Sequence, residues 1–372
     1  MGHVSRKGAS DRVVDQERAR IDRLDERILA LLNQRARVAQ RIGHRKALNG
    51  GASGVAETFW VPSRERRVLE RVQARNAGPL ANDDVRAIFR EIISASRALE
   101  ATLTVAYLGP EGTFAQAAAQ EQFGSAITLR PVPSIAEVFA EVEQRRADCG
   151  VVPVENSTEG AVTSTLDLLV ESPLRIAAEI MLRVRHCLLG TAASLDDVRR
   201  VLSHPQALAQ CRQWLVRHVP DARLEEAAST SQAAALAVDD PTVAAVASRA
   251  AAAHHGLRVL AGDIQDQASN LTRFFVLGFH DAARASGNDK TSVVCTVKDE
   301  VGVLAKLLRP LARERVSLHK IESRPLRGRP WEYVFFLDLR GHHAEARVKR
   351  ALARMAPLTT SMKVLGSYPV GA

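Results

Sequence analysis

The chain has 372 residues, 46% hydrophobic and 25% charged, which is too long for one ordinary domain and typical in composition of soluble globular proteins. Its net charge of +9 is unevenly divided: residues 1–101 carry 20 Lys and Arg against 13 Asp and Glu, residues 102–288 carry 15 against 21, and residues 289–372 carry 16 against 8. This alternation predicts three units. Neither basic unit has a Lys/Arg run interleaved with aromatics. Binding of small anions therefore explains the positive charge of these two units at least as well as binding of nucleic acid.

The first residues of the chain and its cysteines bear on the cellular compartment of the protein. Residues 1–14 are polar, lack the apolar segment of a signal peptide, and are predicted to be a disordered leader. The longest apolar runs are interrupted by charges, so no membrane span is expected. The four cysteines lie far apart without CxxC spacing, which favours reduced thiols in a cytoplasmic protein and argues against a zinc site.

Residues 15–101 are predicted to form an all-helical bundle with polar groups inside its apolar stripe. The first helix has apolar residues at alternating steps of three and four from Ile21 to Ile42, an amphipathic pattern. Arg35 interrupts the stripe, and Lys46 returns to nearly the same face because each residue turns a helix by about 100°. Burying a cation costs free energy unless an anion pairs with it, so Arg35 within the apolar stripe predicts a bound anion. Alternatively, the Arg35 side chain reaches solvent or pairs with another subunit.

A later helix repeats this feature. Its stripe begins at Val85 and meets Ser96 where another aliphatic residue belongs, and Glu100 follows one turn later on the same side. Arg64, near the start of a helix between the two, also faces inward. These side chains predict a cationic pocket, which suits a reaction that needs shape and charge and no proton shuttle.

The unit resembles the all-helical chorismate mutase domain. The resemblance runs along Arg18, Asp25, Arg35, Gly43, Lys46, Arg64-Glu65, Ser96 and Glu100. It implies that Arg35, Lys46 and Arg64 hold the carboxylates and ether oxygen of chorismate, with Ser96 and Glu100 in the same site. It also implies that Arg18 enters the partner subunit's site in an intertwined dimer.

Two positions depart from that family. Many relatives have Gln in place of Glu100, and many carry a carboxylate in place of Val61. A carboxyl group must be protonated to donate a hydrogen bond to the ether oxygen. Glu100 therefore predicts a mutase activity that weakens as the pH rises.

Residues 102–281 are predicted to form a layered α/β unit, because strand-like and helical segments alternate. Polar motifs lie at the strand ends, where such folds place their ligands. The motifs are GPEGTF at 109–114, VPVENS at 152–157, SHPQ at 203–206 with Gln210, and STS at 229–231. No GxGxxG fingerprint occurs, which disfavours a nicotinamide enzyme.

A further polar group opens the last strand of this unit, where Asn270, Thr272 and Arg273 precede an apolar run from Phe274. An Arg supplies a planar two-donor fork for a carboxylate, and Thr and Asn add orientable hydrogen bonds. The group predicts a site that binds a small polyanion and handles one proton. An edge Arg beside a strand-initiating Thr is the alternative.

In this order the motifs, together with His186-Cys187-Leu188, resemble prephenate dehydratase, a family with two α/β lobes around a cleft, similar to solute-binding proteins. The resemblance implies that Thr272 is the catalytic hydroxyl and that Arg273 anchors the substrate, with no cofactor. It further implies that the substrate is bound by Glu155, Asn156, Ser203, Gln210, Ser229, Thr230, Ser231, Asn270 and Phe274. His186 and His204 are either acids or structural residues.

After a flexible linker at residues 282–289, residues 290–372 are predicted as strand, helix, strand, strand, helix, strand, a ferredoxin-like order. Two segments, Gly302-Val303-Leu304 and Glu322-Ser323-Arg324-Pro325, resemble the effector-binding segments of ACT regulatory domains. The resemblance implies that phenylalanine binds at a domain interface and inhibits the dehydratase. A glycine at a helix N-terminus allows the close backbone approach that favours a carboxylate. A dimerisation module without a ligand is the alternative.

Together the resemblances imply a bifunctional homodimeric enzyme of phenylalanine biosynthesis, which rearranges chorismate to prephenate and converts prephenate to phenylpyruvate. No metal, nucleic-acid or membrane partner is expected. A non-catalytic amino-acid sensor is the alternative class. A sensor would need neither of two sets of residues that this chain retains, and their presence argues against that class. The sets are Thr272 with Arg273, and the cations Arg35, Lys46 and Arg64.

Overall fold

The structure is a computed structural model. It describes the backbone at residues 4–50, 60–267, 269–282, 284–325 and 333–371, and the side chains of these ranges from residue 12 onward except 46–50.

The described residues of the N-terminal unit form three helices, α1 (Val4–Gly50), α2 (Pro62–Ala74) and α3 (Asn82–Ala98). The predicted all-helical unit is confirmed. The prediction of a disordered leader is wrong for residues 4–14, which belong to α1, because extending an existing helix costs far less than nucleating one. Pro62 occupies the first position of α2, which its fixed φ favours.

The apolar stripe of α1 is largely exposed in this single chain. Ile21, Leu24, Ile28 and Leu31 have 55%, 47%, 54% and 63% of their surface exposed. The predicted amphipathic helix therefore exists, but its stripe builds no core within one copy of the chain.

The next unit consists of two lobes. The first lobe contains β1 (Thr104–Leu108), α4 (Phe114–Phe123), β2 (Thr128–Val132), α5 (Ile135–Glu143), β3 (Cys149–Asn156), β4 (Gly160–Ala161), α6 (Thr163–Glu171) and β5 (Arg175–Arg183). The second lobe contains β6 (Cys187–Gly190), β7 (Arg200–Ser203), α7 (Pro205–Gln210), α8 (Arg212–His218), β8 (Arg223–Glu226), α9 (Thr230–Leu236), β9 (Val243–Ala247), α10 (Arg249–His255) and β10 (Arg258–Ala261). The sheet order in the second lobe is β10-β6-β9-β7-β8.

The chain then returns to the first lobe. Strand β11 (Leu271–Gly278) lies antiparallel between β3 and β5, so that the sheet order is β2-β1-β3-β11-β5, with β4 paired to β3. The lobes are thus joined by two crossings, and the first residues of β11 emerge at the cleft between them. This is the two-lobed α/β architecture that the sequence predicted.

The C-terminal unit contains β12 (Asp289–Val297), α11 (Val303–Arg313), β13 (Leu318–Pro325), β14 (Tyr333–Arg340), α12 (Ala346–Met355) and β15 (Ser361–Pro369). The predicted βαββαβ order is confirmed. Its four strands are antiparallel in the order β13-β14-β12-β15, and the two helices cover one face.

The C-terminal sheet packs on the first lobe through β15. A Cβ on Gly366 would lie 2.3 Å from the carbonyl oxygen of Ile176, so this close approach requires glycine. Lys363 Nζ donates to the carbonyl oxygens of Leu169 and Val170, at 2.9 and 3.2 Å. One apolar cluster runs through both units, so they share a core.

The N-terminal unit is also tied to the first lobe. Trp60 is buried and packs on Phe123, with 4.7 Å between ring centroids. Arg97 of α3 donates to the Phe123 carbonyl and to Glu65, both at 2.7 Å.

Candidate active sites

A cleft of about 1370 Å³ separates the two lobes. Thr272, Asn156, Gln210 and Phe274 line it, and so do Ser229, Thr230 and Ser231. The structure therefore brings together residues from four separated sequence motifs. None of the described residues that line this cleft is Lys or Arg.

A chain of hydrogen bonds runs across the floor of the cleft. Asn156 Nδ2 donates to Thr272 Oγ1 at 2.8 Å and to Asn270 Oδ1 at 3.1 Å. Asn270 Nδ2 then donates to Gln210 Oε1 at 2.8 Å, and that oxygen lies 2.9 Å from His186 Nε2. The chain joins the first lobe to the second.

The direction of these hydrogen bonds is set from one end. The backbone N–H of Thr158 donates to Asn156 Oδ1 at 2.9 Å, so the amide nitrogen of Asn156 must face Thr272. Thr272 Oγ1 is then an acceptor from Asn156, and its own proton is free to be donated. By the same logic Gln210 presents its oxygen to His186, which must carry its proton on Nε2.

His186 is a neutral, buried part of this network. Burial lowers the pKa of His186, although the hydrogen bond with Gln210 acts in the opposite direction. Its ring meets Phe114 edge-on, with centroids 5.4 Å apart. Within the described part of the chain, His186 Nδ1 and Gln210 Nε2 are buried atoms without a partner.

Hydroxyl groups and helix starts line the rest of the cleft. Thr113 caps α4, accepting a hydrogen bond from the N–H of Gln116, and Thr163 and Ser164 form the first turn of α6. Ser229 caps α9 by accepting from the N–H of Gln232 at 3.0 Å. These helix ends carry partial positive charge and suit a carboxylate.

Arg273 does not lie in the cleft. Its guanidinium leaves β11 on the opposite face and bonds to Asp338 of the C-terminal unit at 2.6 Å and to Glu179 at 2.8 Å. Successive side chains of a strand point to opposite faces, so Thr272 and Arg273 cannot both face the cleft. The predicted role of Arg273 as substrate anchor is therefore at odds with its position.

Three other predicted residues also lie elsewhere. Glu155 pairs with Lys320 of the C-terminal unit at 2.8 Å. Ser203 is fully buried and donates to the carbonyl of Val246 at 2.5 Å. Asn270 is buried behind the cleft, where it holds Asn156 and Gln210.

A second constellation lies between α1 and α3. Arg35 donates to Ser96 Oγ and, at 3.3 Å, to the carbonyl of Ile92. Burial lowers the pKa of Arg35, and the positive charge of Arg64 lowers it further, while Glu65 acts in the opposite direction. Glu100 packs against Gly43 of α1. We call Arg35, Arg64, Ser96 and Glu100, which the sequence analysis predicts to bind chorismate, the mutase site.

Two predicted members of this constellation are not part of it in one chain. The Lys46 side chain lies outside the described residues. Arg18 is 73% exposed and pairs with Asp15 at 3.5 Å. It lies on the free half of α1, away from Arg35.

The predicted effector segments lie on two elements of the C-terminal unit. Gly302 has a φ of 77° and is the N-cap of α11, so Val303 and Leu304 form its first turn. The segment Glu322-Ser323-Arg324-Pro325 ends the edge strand β13. Arg324 donates to Asp167 at 2.5 Å and to the Thr163 carbonyl at 2.6 Å, and so contacts the helix that lines the cleft.

The sequence analysis missed several residues that the structure brings to these regions. Glu179 is the one charged residue in the buried stretch 176–180 of β5, a signal that could have been noticed, because an unpaired buried carboxylate is costly. His254 and His255 line the cleft, and no pattern marked them. No helix among the described residues is long and apolar enough to cross a membrane.

Comparisons with known proteins agree with this division. The chain matches the family model of chorismate mutase type II at residues 17–101, that of prephenate dehydratase at 105–282 and that of the ACT domain at 291–356. It is 45% identical over 356 residues to a bifunctional chorismate mutase/prephenate dehydratase of Aquifex aeolicus, covering 95% of this chain and 96% of the relative.

Two further relatives are close. A bifunctional chorismate mutase/prephenate dehydratase of Neisseria gonorrhoeae is 44% identical over 362 residues, covering 96% of this chain and 98% of the relative. The solved structure of a prephenate dehydratase from Arthrobacter aurescens in complex with L-Phe is 36% identical, with a TM-score of 0.67, and covers 72% of this chain and 90% of that one.

Proposed function

The chain belongs to the family of bifunctional chorismate mutase/prephenate dehydratases, and from this membership we propose which of its residues carry the two reactions. It has both enzymatic activities, an isomerase in the N-terminal unit and a lyase in the two-lobed unit. The product of the first reaction is the substrate of the second. One chain therefore takes chorismate through prephenate to phenylpyruvate, the precursor of phenylalanine.

The dehydratase centre is Thr272, and the hydrogen bond from Asn156 carries this assignment. Because Asn156 donates to Thr272 Oγ1, the threonine proton is free to point into the cleft. Prephenate loses carbon dioxide as the electron pair of that C–C bond moves into the ring and expels hydroxide. Thr272 donates a hydrogen bond to the departing oxygen, a contribution of the size that one positioned donor makes, typically 10²–10⁴-fold.

Aromatisation drives this reaction, so the remaining task of the cleft is to hold two carboxylates. With no Lys or Arg among the described lining residues, the N-termini of α4 and α6 and the hydroxyls of Ser229 and Thr230 are the groups that suit them. The apolar wall at Phe114 and Phe274 suits the ring.

The mutase site works by shape and charge. Arg35 is held by Ser96, and the nearby Arg64 supplies a second cation. The positive charge of Arg64 lowers the pKa of Arg35 more than Glu65 raises it, and this repulsion between the two cations favours binding of a dianion such as chorismate. Glu100, when protonated, donates to the ether oxygen that carries negative charge as its bond breaks.

We further propose that the active species is an intertwined dimer. The exposed stripe of α1, from Ile21 to Val38, is an apolar surface of the kind that a second copy of the chain would cover. Arg18 lies on the same free half of α1 and would reach the mutase site of the partner subunit. The site of one chain is incomplete without it.

The C-terminal unit is proposed to inhibit the dehydratase when phenylalanine binds. The N-terminus of α11 at Gly302 suits the carboxylate of an amino acid, and Leu304 in the first turn of this helix is an exposed apolar residue. The related Arthrobacter structure contains L-Phe. Arg324 of the second effector segment already touches α6, which offers a direct route from effector to cleft.

The protein is proposed to be cytoplasmic. All four cysteines are buried and unpaired. Burial raises the pKa of Cys149 and of Cys295, which keeps these thiols protonated and unreactive. Unpaired thiols fit a reducing compartment.

The deciding experiment supplies purified protein first with chorismate and then with prephenate, and follows phenylpyruvate with and without phenylalanine. Phenylpyruvate from both substrates, suppressed by phenylalanine, is the expected result. Turnover of prephenate but not of chorismate would mean that the two departures from the family, Glu100 and Val61, have made the mutase site inactive. Binding of phenylalanine without turnover of either substrate would favour an amino-acid sensor.

A further inference from the structure

A buried cluster of charges lies where the C-terminal unit packs on the first lobe, outside both sites described above. Arg273 of β11 donates from Nη1 to Asp338 of β14 at 2.6 Å and from Nε to Glu179 of β5 at 2.8 Å. Glu179 also accepts from Lys290 Nζ at 2.8 Å and from the N–H of Gly371 at 2.7 Å. Arg273, Glu179 and Asp338 are each less than a tenth exposed.

Two hydroxyl groups complete the cluster. Arg273 Nη2 donates to Tyr368 Oη at 3.1 Å, and Ser292 Oγ lies 2.5 Å from both Tyr368 Oη and Asp338 Oδ1. Burial acts to lower the pKa of Arg273, but Tyr368, Asp338 and Glu179 raise it overall. The guanidinium therefore stays charged, and it keeps one geometry because displacing it would leave buried carboxylates unpaired.

This cluster is connected to the reaction through one peptide unit. Arg273 follows Thr272 directly on β11, and the two side chains lie on opposite faces of the strand. The register between β11 and β3 shifts between Arg273 and Phe274, so the ladder to β3 is irregular directly after Arg273, while Thr272 pairs with Asn156 on β3 and with Leu182 on β5. The anchored guanidinium therefore contributes to fixing the rotation of this segment.

We propose that Asp338, a residue of the C-terminal unit, is a positioning residue for the dehydratase. By holding Arg273 it fixes the backbone of Thr272 and with it the direction of the hydroxyl in the cleft. This rests on the role of Thr272 proposed above. The C-terminal unit thereby contributes to the dehydratase rate when no phenylalanine is bound, in addition to its proposed inhibition of the dehydratase by phenylalanine.

The test uses the full chain and measures phenylpyruvate formation from prephenate without phenylalanine. Asp338→Asn keeps the shape of the side chain and removes its charge. We expect kcat to fall about tenfold, since small misplacements of a reacting group have effects of this order, with KM changed less than about twofold. Mutase activity of the same preparation reports that the chain is folded.

Lys363→Met is the matched control. Lys363 crosses the same interface, to carbonyls at the end of α6 and just beyond it, and does not touch β11. Its kcat should stay within about twofold of wild type. Tyr368→Phe removes one contact of Arg273 and should lower kcat less than Asp338→Asn does.

A double variant separates positioning from a general structural effect. Without a hydroxyl to direct, Asp338→Asn should cost almost nothing further in the Thr272→Val background. The proposal is overturned if Asp338→Asn has the kcat of Lys363→Met, or if its fold loss is the same in both backgrounds. A wild-type chain that forms prephenate but no phenylpyruvate would overturn the dehydratase assignment and this proposal together.

Discussion

Glu100 packs directly on Gly43: a Cβ at residue 43 would lie 2.8 Å from Glu100 Cγ and 3.2 Å from its Cδ. Gly43 belongs to α1 and Glu100 follows α3, so this contact joins the helices that carry Arg35 and Ser96. In real proteins a Cβ atom essentially never lies within 3.0 Å of a heavy atom of a residue that is not its neighbour in the chain. A glycine at residue 43 is therefore what allows Glu100 to occupy its place in the mutase site.

Gly43→Ala is expected to lower mutase kcat/KM about tenfold, because Glu100 must move away from the position of the substrate. Alanine favours a helix over glycine by about 1 kcal/mol, so lost helix stability cannot account for the effect. Initial rates on chorismate and prephenate in one preparation measure it, and prephenate turnover should be retained. Gly78→Ala is the control, since its Cβ would meet nothing closer than 3.8 Å. Equal mutase rates in both variants would show that the contact does not position Glu100.

Glu100→Gln tests the protonation requirement. A carboxyl donates a hydrogen bond only when protonated, whereas an amide donates at every pH. Wild-type mutase activity should fall as the pH rises, and the profile of Glu100→Gln should be flatter. The dehydratase profile of each preparation serves as internal reference. A mutase profile unchanged by the substitution would remove Glu100 from the hydrogen bond to the ether oxygen.

The helical unit shows how far periodicity alone can predict a site. Arg35 and Ser96 were each predicted to face inward from their places in two apolar stripes, and the structure joins them by a hydrogen bond. The stripe from Ile21 to Leu31 was also predicted correctly as apolar, but it is exposed. Periodicity says which face of a helix is apolar and does not say which molecule covers it.

The two-lobed unit shows a different limit. The alternation of side chains along a strand already implies that Thr272 and Arg273 face opposite ways. The sequence could not indicate that the far side of β11 meets Asp338, because that contact depends on packing between segments 65 residues apart. The resemblance to a family identified the motif and not the direction of each side chain.

Thr272→Val and Thr272→Ser separate the hydroxyl from the shape of the side chain. Valine is nearly isosteric but lacks the hydroxyl and leaves one N–H of Asn156 Nδ2 without its acceptor, so dehydratase kcat should fall about 10²–10⁴-fold. Serine retains the hydroxyl and should keep most of the activity. Mutase rates measure the amount of folded protein. A Val variant with near wild-type kcat would exclude the Thr272 hydroxyl from the chemistry.

His186 predicts a specific dependence of stability on pH. Burial lowers its pKa in the folded protein, whereas an unfolded chain titrates histidine near pH 6.5, at about that ordinary value. As the pH falls through this value, the unfolded chain takes up a proton that the folded chain does not. Above about pH 6.5 the free energy of unfolding therefore contains the whole contribution of the neutral His186. Below that pH the free energy of unfolding declines, by at most about 1.4 kcal/mol per pH unit for one proton.

His186→Asn should remove that part of the decline. Its Tm is expected to be lower than that of wild type at pH 7.5, because the hydrogen bond to Gln210 changes, but to fall less between about pH 7.5 and about pH 5.5. His218→Asn is the control, since His218 is exposed and stacks on Trp214. Differential scanning calorimetry of the three proteins decides the matter. If both variants lose as much Tm as wild type over this range, protonation of His186 is not coupled to unfolding.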